Sequence, residues 1–287
     1  MQKDLNKSAE IKLWISRIVV YAILIFLAFL CLFFFYLMII NSSRSNAQLK
    51  EGFTVIPGGH FLDNFYNAWH DGDINIPVGM KNSFIVAAAS AVLTTYFSAM
   101  TAYGVYVYNF RLKHFVHIFI LAIMMIPSQV SAVGFIQLAF QYNLTNKLWV
   151  LFVPSIAAPV VYFYMYQYLQ ATLPLEMVEA ARIDGSSEFR IFNRIVLPIM
   201  KPAIAVQMIF SFVGSWNNYF MPSLLLNAAD KKTVPIMIAQ LRSADYSKFD
   251  MGKVYMLMLM AILPVMIIYI ILSKSIIKGV TSGSVKG

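Results

Sequence analysis

At 287 residues, 60% hydrophobic and 12% charged, the chain falls well short of the roughly one-quarter charged content of soluble domains, which excludes a water-soluble globular fold. Its net charge of +9 would suit nucleic acid, but the Lys and Arg residues are scattered through links between apolar blocks, as in membrane-protein loops. The single cysteine, Cys31, lies in an apolar run and excludes an internal disulfide framework or a cysteine metal cluster.

In chain order, residues 1–17 form a basic N-terminal tail with Lys3, Lys7, Lys12 and Arg17. The apolar stretch 18–40 spans roughly 34 Å as helix, against a hydrocarbon core of ~30 Å, and no small-residue cleavage site follows it. It reads as an uncleaved first transmembrane helix. Residues 41–81 form a polar segment on the external side. Within it, Phe61, Phe65, Ala68 and Trp69 fall at helical spacing and predict a short interfacial helix. Residues 82–277 read as a transmembrane domain with spans near 82–108, 115–140, 148–169, 202–225 and 254–272. The small residues of the 82–108 span suit close helix contact; the next two spans contain Pro127, Pro154 and Pro159. A polar segment, 227–253, precedes the last span, and 278–287 is a basic tail.

Between the fourth and fifth spans lies a charged stretch, 172–201, with equal numbers of acidic and basic residues. It reads as an elbow of two short helices. Thr172 is a candidate cap for the first, Pro174 suits its first turn, and Glu176 and Glu179 sit near its positive dipole end. Gly185 is the expected left-handed stop. Ser186 or Ser187 is a candidate cap for the second helix, which Pro198 should end at Leu197.

Six spans put both termini on one side. Residues 1–17, the 111–113 link, the elbow and everything after the last span (273–287) together hold thirteen Lys and Arg, and the opposite segments hold nine. The positive-inside rule therefore places termini and elbow in the cytoplasm. None of the six spans as drawn holds an Asp, Glu, Lys or Arg, which disfavours an ion-coupled carrier and a charged cargo. Gln129, Gln137, Trp216, Asn217, Asn218 and Tyr219, with Tyr162 and Tyr164, offer amides, phenols and aromatic faces suited to a neutral polar solute such as a sugar. Taken singly, each equally suits interhelical hydrogen bonds and the aromatic belt.

Enzyme chemistry finds little support. No G-x-x-x-x-G-K-[ST] loop or H-E-x-x-H occurs, and His114 and His117 lack a nearby carboxylate. Asp184-Gly185 with Glu188 and Arg190 is similar to the Asp-Gly motif of membrane phospholipid synthases, but the further aspartates that such metal sites need are missing.

At the elbow, Glu179-Ala180-Ala181, Gly185 and Ile195-x-Leu197-Pro198 match the EAA loop of ABC importer permeases without a gap. The residues around it, including Arg182-Ile-Asp-Gly-Ser-Ser-Glu-Phe189, Met124-Met-Ile-Pro-Ser-Gln129, Ser211-Phe-Val-Gly-Ser-Trp-Asn217 and Thr233-Val-Pro235, resemble the sugar-importing branch and its shorter, six-span, maltose-type permease. The resemblance implies an all-α membrane protein with the type I ABC importer permease fold. It further implies a second permease subunit, two cytoplasmic ATPase subunits that bind ATP-Mg, and an extracytoplasmic sugar-binding protein, all in a bacterial or archaeal cytoplasmic membrane. This chain itself would need no cofactor, metal or nucleic acid. By the match, Glu179, Ala180, Ala181, Asp184, Gly185, Ile195, Leu197 and Pro198 would couple to the ATPase, and Gln129, Trp216, Asn217, Asn218 and Tyr219 are candidates for the substrate pathway. A permease for another neutral polar solute, and a membrane enzyme acting on lipid headgroups, are the alternatives.

Overall fold

The structure is a computed structural model that describes residues 2–72, 74–243 and 250–284, with side chains over 12–72, 74–241 and 250–271. Parts of the expected 227–253 segment and of the 278–287 tail therefore lie outside the described residues. The described chain is helical throughout and divides into two units.

The first unit comprises residues 2–70 and 250–260 of those described. Its α1, Gln2–Ser42, starts well before the expected 18 and ends two residues past the expected 40. The part over Lys12–Ser42 is long and apolar enough to cross a membrane, and its most apolar window is not buried against the protein at all. A helix apolar on every face and covered by nothing is what lipid solvates. After it come α2, Asn46–Lys50, and α3, Phe61–Trp69. Ser45 starts α2 with a reciprocal capping box to Gln48. On α3, Asn64 and Ala68 are the buried pair, while Phe65 and Trp69 stack on the exposed side. The Asn64 amide donates to the carbonyls of Ser42 and Arg44 at 2.8 and 2.9 Å, fixing the turn that follows α1.

The second unit comprises residues 71–243 and 261–284 of those described, apart from the gaps. Its centre is α4, Ile76–Val107, which packs on α8, Pro159–Thr172, and α12, Lys201–Trp216. The helix begins six residues before the expected 82 because Asn75 caps it, accepting from the Val78 amide, and Pro77 tolerates the first turn. Ala87 and Ala91 lie in one core cluster with Phe212 and Trp216. Ala99 and Ala102 lie in another with Met165 and Leu169. Small side chains on α4 thus let aromatic and branched neighbours approach its backbone.

Two expected continuous spans are broken. The 115–140 block is α5, Lys113–Ile123, and α6, Ser128–Gln141, bent by 92°. Pro127 stands between them in an extended conformation, which denies α6 an N–H and steers the preceding residue away from helix. The 202–225 block is α12 followed by α13, Phe220–Leu225, with residues 217–219 outside either helix. Residues 149–172 form α7, Trp149–Phe152, a 3-10 turn, Val153–Ile156, and α8. The remaining helices are α9, Leu175–Ile183, α10, Glu188–Ile191, α11, Leu197–Ile199, α14, Val234–Ser243, and α15, Met251–Ser284. Among the described residues, four helices are long and apolar enough to span a membrane, and up to six if each bent pair counts as one.

Side chains tie each end of α4 to different loops. Near its start, the Asn82 amide donates to the carbonyls of Asp230 and Lys232, and Ser83 accepts from the Val234 amide. Near its end, Tyr103 and Tyr108 reach the elbow at Glu188. Asn82 and Tyr103 are about 32 Å apart along the helix, close to the hydrocarbon thickness of a bilayer. The elbow and the 227–234 loop therefore belong to opposite ends of this unit.

Candidate functional site

The elbow is built from α9, α10, a π turn, Phe192–Val196, and α11. Thr172 does not cap α9: its hydroxyl donates back to the Tyr168 carbonyl within α8, and Pro174 occupies the N-cap position. The end of α9 follows the sequence expectation. Gly185 has φ +78°, the Gly185 amide donates to the Arg182 carbonyl, and the Ser186 amide reaches back to Ala181. This is a Schellman stop, and only glycine takes its left-handed residue without a Cβ penalty. Ser187 holds the N-cap position of α10, though its hydroxyl makes no capping bond. Pro198 does not end the second helix at Leu197. The chain continues through α11 and turns at Met200, where the helical axis bends by 81° into α12. The wider π turn immediately before Pro198 accommodates a residue that has no N–H to donate.

One face of the elbow is core. Val178, Ala181, Ile191, Phe192, Val196 and Met200 are buried together with Tyr103, Leu169 and Leu173, and Ile195 and Leu197 pack at the edge. The other face is open. Glu179, Ala180, Asp184, Gly185 and Pro198 are exposed, and Ile183 and Phe189 expose 86% and 69% of their surface. The EAA triplet is thus split: Glu179 and Ala180 face outward, and Ala181 faces the protein's own core.

A charged staple closes the elbow. Arg182 Nε lies 2.6 Å from Glu188 Oε1, and the other carboxylate oxygen accepts from Tyr108 at 2.6 Å and Tyr103 at 3.0 Å. The Arg182 guanidinium also sits 5.4 Å from the centre of the Tyr108 ring. The stretch from Glu188 to Ile199 carries Glu188, Arg190 and Arg194, too many charges for a segment facing lipid. The Arg182 guanidinium, helped by the two phenols, holds the Glu188 carboxyl down to about 2, against the opposing effect of burial. Burial, and then the Glu188 carboxylate, push the Tyr108 phenol up. None of this network was read from the sequence. Tyr103 and Tyr108 lie about eighty residues from Glu188, and Arg182 and Glu188 meet only because the chain reverses at Gly185.

Where α6 and α13 meet the 149–156 segment, a cavity of about 470 Å³ opens. Ser128, Ser131, Ser155, Ser215 and Asn218 supply its polar groups, and Phe135, Leu151, Met221 and their neighbours its apolar wall. No charged residue lines it. Of the candidate pathway residues, the structure brings Asn218 to this cavity, where its carbonyl oxygen also accepts from the Met221 amide at 3.4 Å. Tyr219 lines a second cavity of about 320 Å³ with Ser223, Asn227 and Lys232. Asn217 and Gln129 are exposed and line neither. Trp216 is 3% exposed, stacks on Phe212, and donates its indole N–H to the Ala261 carbonyl at 3.0 Å. The Trp216–Tyr219 run lies not in mid-helix but at the end of α12, so successive residues point to different environments. The serines escaped the sequence reading because isolated serines in apolar helices also serve packing. His117 pairs with the Tyr162 hydroxyl at 2.8 Å and lies against Tyr166, and no metal-ligating group forms among the described residues.

Broken apolar helices around an uncharged cavity with a few polar groups, and a helical elbow at one end of the bundle, are the architecture of a multi-span membrane protein. Residues 82–280 match the family described as binding-protein-dependent transport system inner membrane component. The chain is 32% identical over 279 residues to the arabinooligosaccharides transport system permease protein AraQ of Bacillus subtilis, covering 95% of this chain and 97% of that protein. It is 30% identical over 269 residues to the lactose transport system permease protein LacG of Rhizobium radiobacter, covering 94% and 96%. The fold matches, with a TM-score of 0.78 at 20% identity over 91% of this chain and 96% of the other, a chain from the crystal structure of a bacterial ABC transporter involved in the import of the acidic polysaccharide alginate. The protein belongs to the family of binding-protein-dependent inner membrane components, the permease subunits of ABC importers.

Proposed function

We propose that this permease imports a sugar or oligosaccharide. It would form half of the translocation pathway, with six spans, both termini in the cytoplasm, and residues 172–201 seated on an ATPase subunit. The observation that carries the substrate reading is the cavity lined by Ser128, Ser131, Ser155, Ser215 and Asn218, with no charged residue among its walls. Hydroxyls and an amide beside an apolar wall suit a neutral sugar, whose hydroxyl edges need hydrogen bonds and whose ring faces need apolar contact. The kinship with permeases named for arabinooligosaccharides and lactose supports it.

The open face of the elbow supports the coupling role. Ile183 and Phe189 expose large apolar surface beside Glu179, on a stretch too charged to face lipid. Its inner face is packed on the bundle, so a push on the outer face displaces the elbow and bundle together and does not merely bend a linker. A second permease, two ATPase subunits that hydrolyse ATP-Mg, and an extracytoplasmic binding protein would complete the importer. The test is radiolabelled oligosaccharide uptake by cells expressing the complete importer. ATP-dependent uptake that Ser131→Leu with Asn218→Leu abolishes is expected; uptake of an anion or amine in preference to every sugar tried would overturn the reading.

A further inference from the structure

Within the first unit, the segment after α2 folds back along α1. Phe53 lies 6.5 Å, centre to centre, from the Phe33 ring, and the Tyr36 hydroxyl donates to the Val55 carbonyl at 2.6 Å. Phe33 precedes the end of α1 at Ser42 by nine residues, so this loop runs roughly 14 Å back along the exposed apolar helix. Its apolar side chains are open there: Phe53 is 74% exposed and Ile56 70%. Exposed apolar residues on a loop lying along an apolar helix suit contact with acyl chains.

Directly above it lies a pocket of about 240 Å³, lined among others by Arg44, Lys50, Phe53, Asn41 and Tyr255. Arg44 is 6% exposed. Its guanidinium donates to the carbonyls of Gly52 and Gln48, and no carboxylate pairs with it among the described residues. Lys50 makes no ion pair there either. Of the nearest carboxylates in sequence, Asp250 accepts from the Gly252 and Lys253 amides, and Glu51 does not line the pocket. A buried cation with spare N–H groups and no counter-charge is costly unless an anion completes it.

We propose that this pocket binds the phosphate of an anionic phospholipid, with Arg44 and Lys50 as its donors and the Phe53–Ile56 loop packed among the acyl chains. The order of chemistry along α1, cations at the end and bare apolar side chains below, is the order of a phospholipid from headgroup to tail. Arg44 supplies a planar fork suited to phosphate oxygens, and Lys50 a second positive charge at the rim.

The test is native mass spectrometry of the full-length chain in detergent, titrated with phosphatidylglycerol, phosphatidylcholine or inorganic phosphate. Phosphatidylglycerol is expected to be retained well above phosphatidylcholine, and Lys50→Gln to reduce that preference about fivefold, the contribution of one cation near a lipid surface. Arg44→Gln should remove the preference. Because Arg44 also braces the loop, the exposed Lys50→Glu variant is the decisive one, and it should abolish retention in a protein of unchanged helicity. Equal retention of the two lipids, or phosphatidylglycerol retention unaffected by Lys50→Glu, would overturn the proposal. So would displacement of the lipid by millimolar inorganic phosphate, or by assembly with the second permease subunit, which would give the pocket to a free anion or a protein carboxylate.

Discussion

Arg182 and Glu188 face each other across Gly185 at 2.6 Å, joining the end of α9 to the start of α10 over a left-handed turn. Tyr103 and Tyr108 hold the same carboxylate from the end of α4, so the elbow is locked both on itself and to the central helix.

That geometry makes Gly185 the position where a small change should do most damage to coupling. A Cβ there meets no atom within 4 Å, so the cost is purely conformational, about 1–2 kcal/mol for a non-glycine residue at φ +78°. Gly185→Val is expected to abolish uptake in the complete importer while the protein stays in the membrane at near-normal abundance. Uptake and immunoblotting of the same membranes check this, and Glu179→Lys, on the exposed face, should behave alike.

The Glu188 carboxyl, held down to about 2, contributes to the elbow's stability above its ordinary value near 4.5, and that contribution disappears as pH falls from there through about 2. The pair is about two-fifths exposed, so the effect is modest, within roughly 1 kcal/mol. Pepsin cleavage beside the exposed Ile183 and Phe189, normalised to an unstructured substrate, should accelerate across this pH window in the wild type. Glu188→Gln should show no such acceleration.

Trp216 and Asn218 are two residues apart and should fail differently. Trp216→Ala removes a buried stacked ring and is expected to cost about 3–5 kcal/mol, visible as lost thermal stability and abundance. Asn218→Ala should leave abundance intact and weaken apparent substrate affinity, because its amide lines the cavity. Asn217→Ala, which lines neither cavity, should leave uptake kinetics unchanged.

The two ends of α4 give a topological prediction. With Cys31 replaced by serine, single cysteines at Ser186 and at Ala228 should label with an impermeant maleimide from opposite faces of the membrane. The expected result is that Ser186→Cys reacts only from the cytoplasmic face. Labelling of both from one face would contradict the separation of the elbow from the 227–234 loop.

Much of this protein is legible in one dimension. The apolar blocks announce their helices because a bilayer demands about twenty apolar residues with every backbone group bonded internally. Gly185 announces the elbow's stop because left-handed backbone is a local property of one residue. Pro127 and Pro198 were harder to read. Proline marks stress on a helix, but neighbouring turns decide the response: a 92° break at Pro127, and passage through a π turn at Pro198.

Sequence alone determined the membrane class, the position of the elbow and its glycine turn, since these follow from composition and from interactions only a few residues long. Tertiary structure alone decided which faces those residues present. It turned Ala181 into core and left Glu179 and Ala180 outside, sank Trp216 against Ala261, gathered serines from three separate helical segments around one cavity, and brought two tyrosines at the end of α4 onto Glu188. The physical reason is that burial and hydrogen-bond partners depend on contacts between residues far apart in the chain, and no local pattern records those contacts.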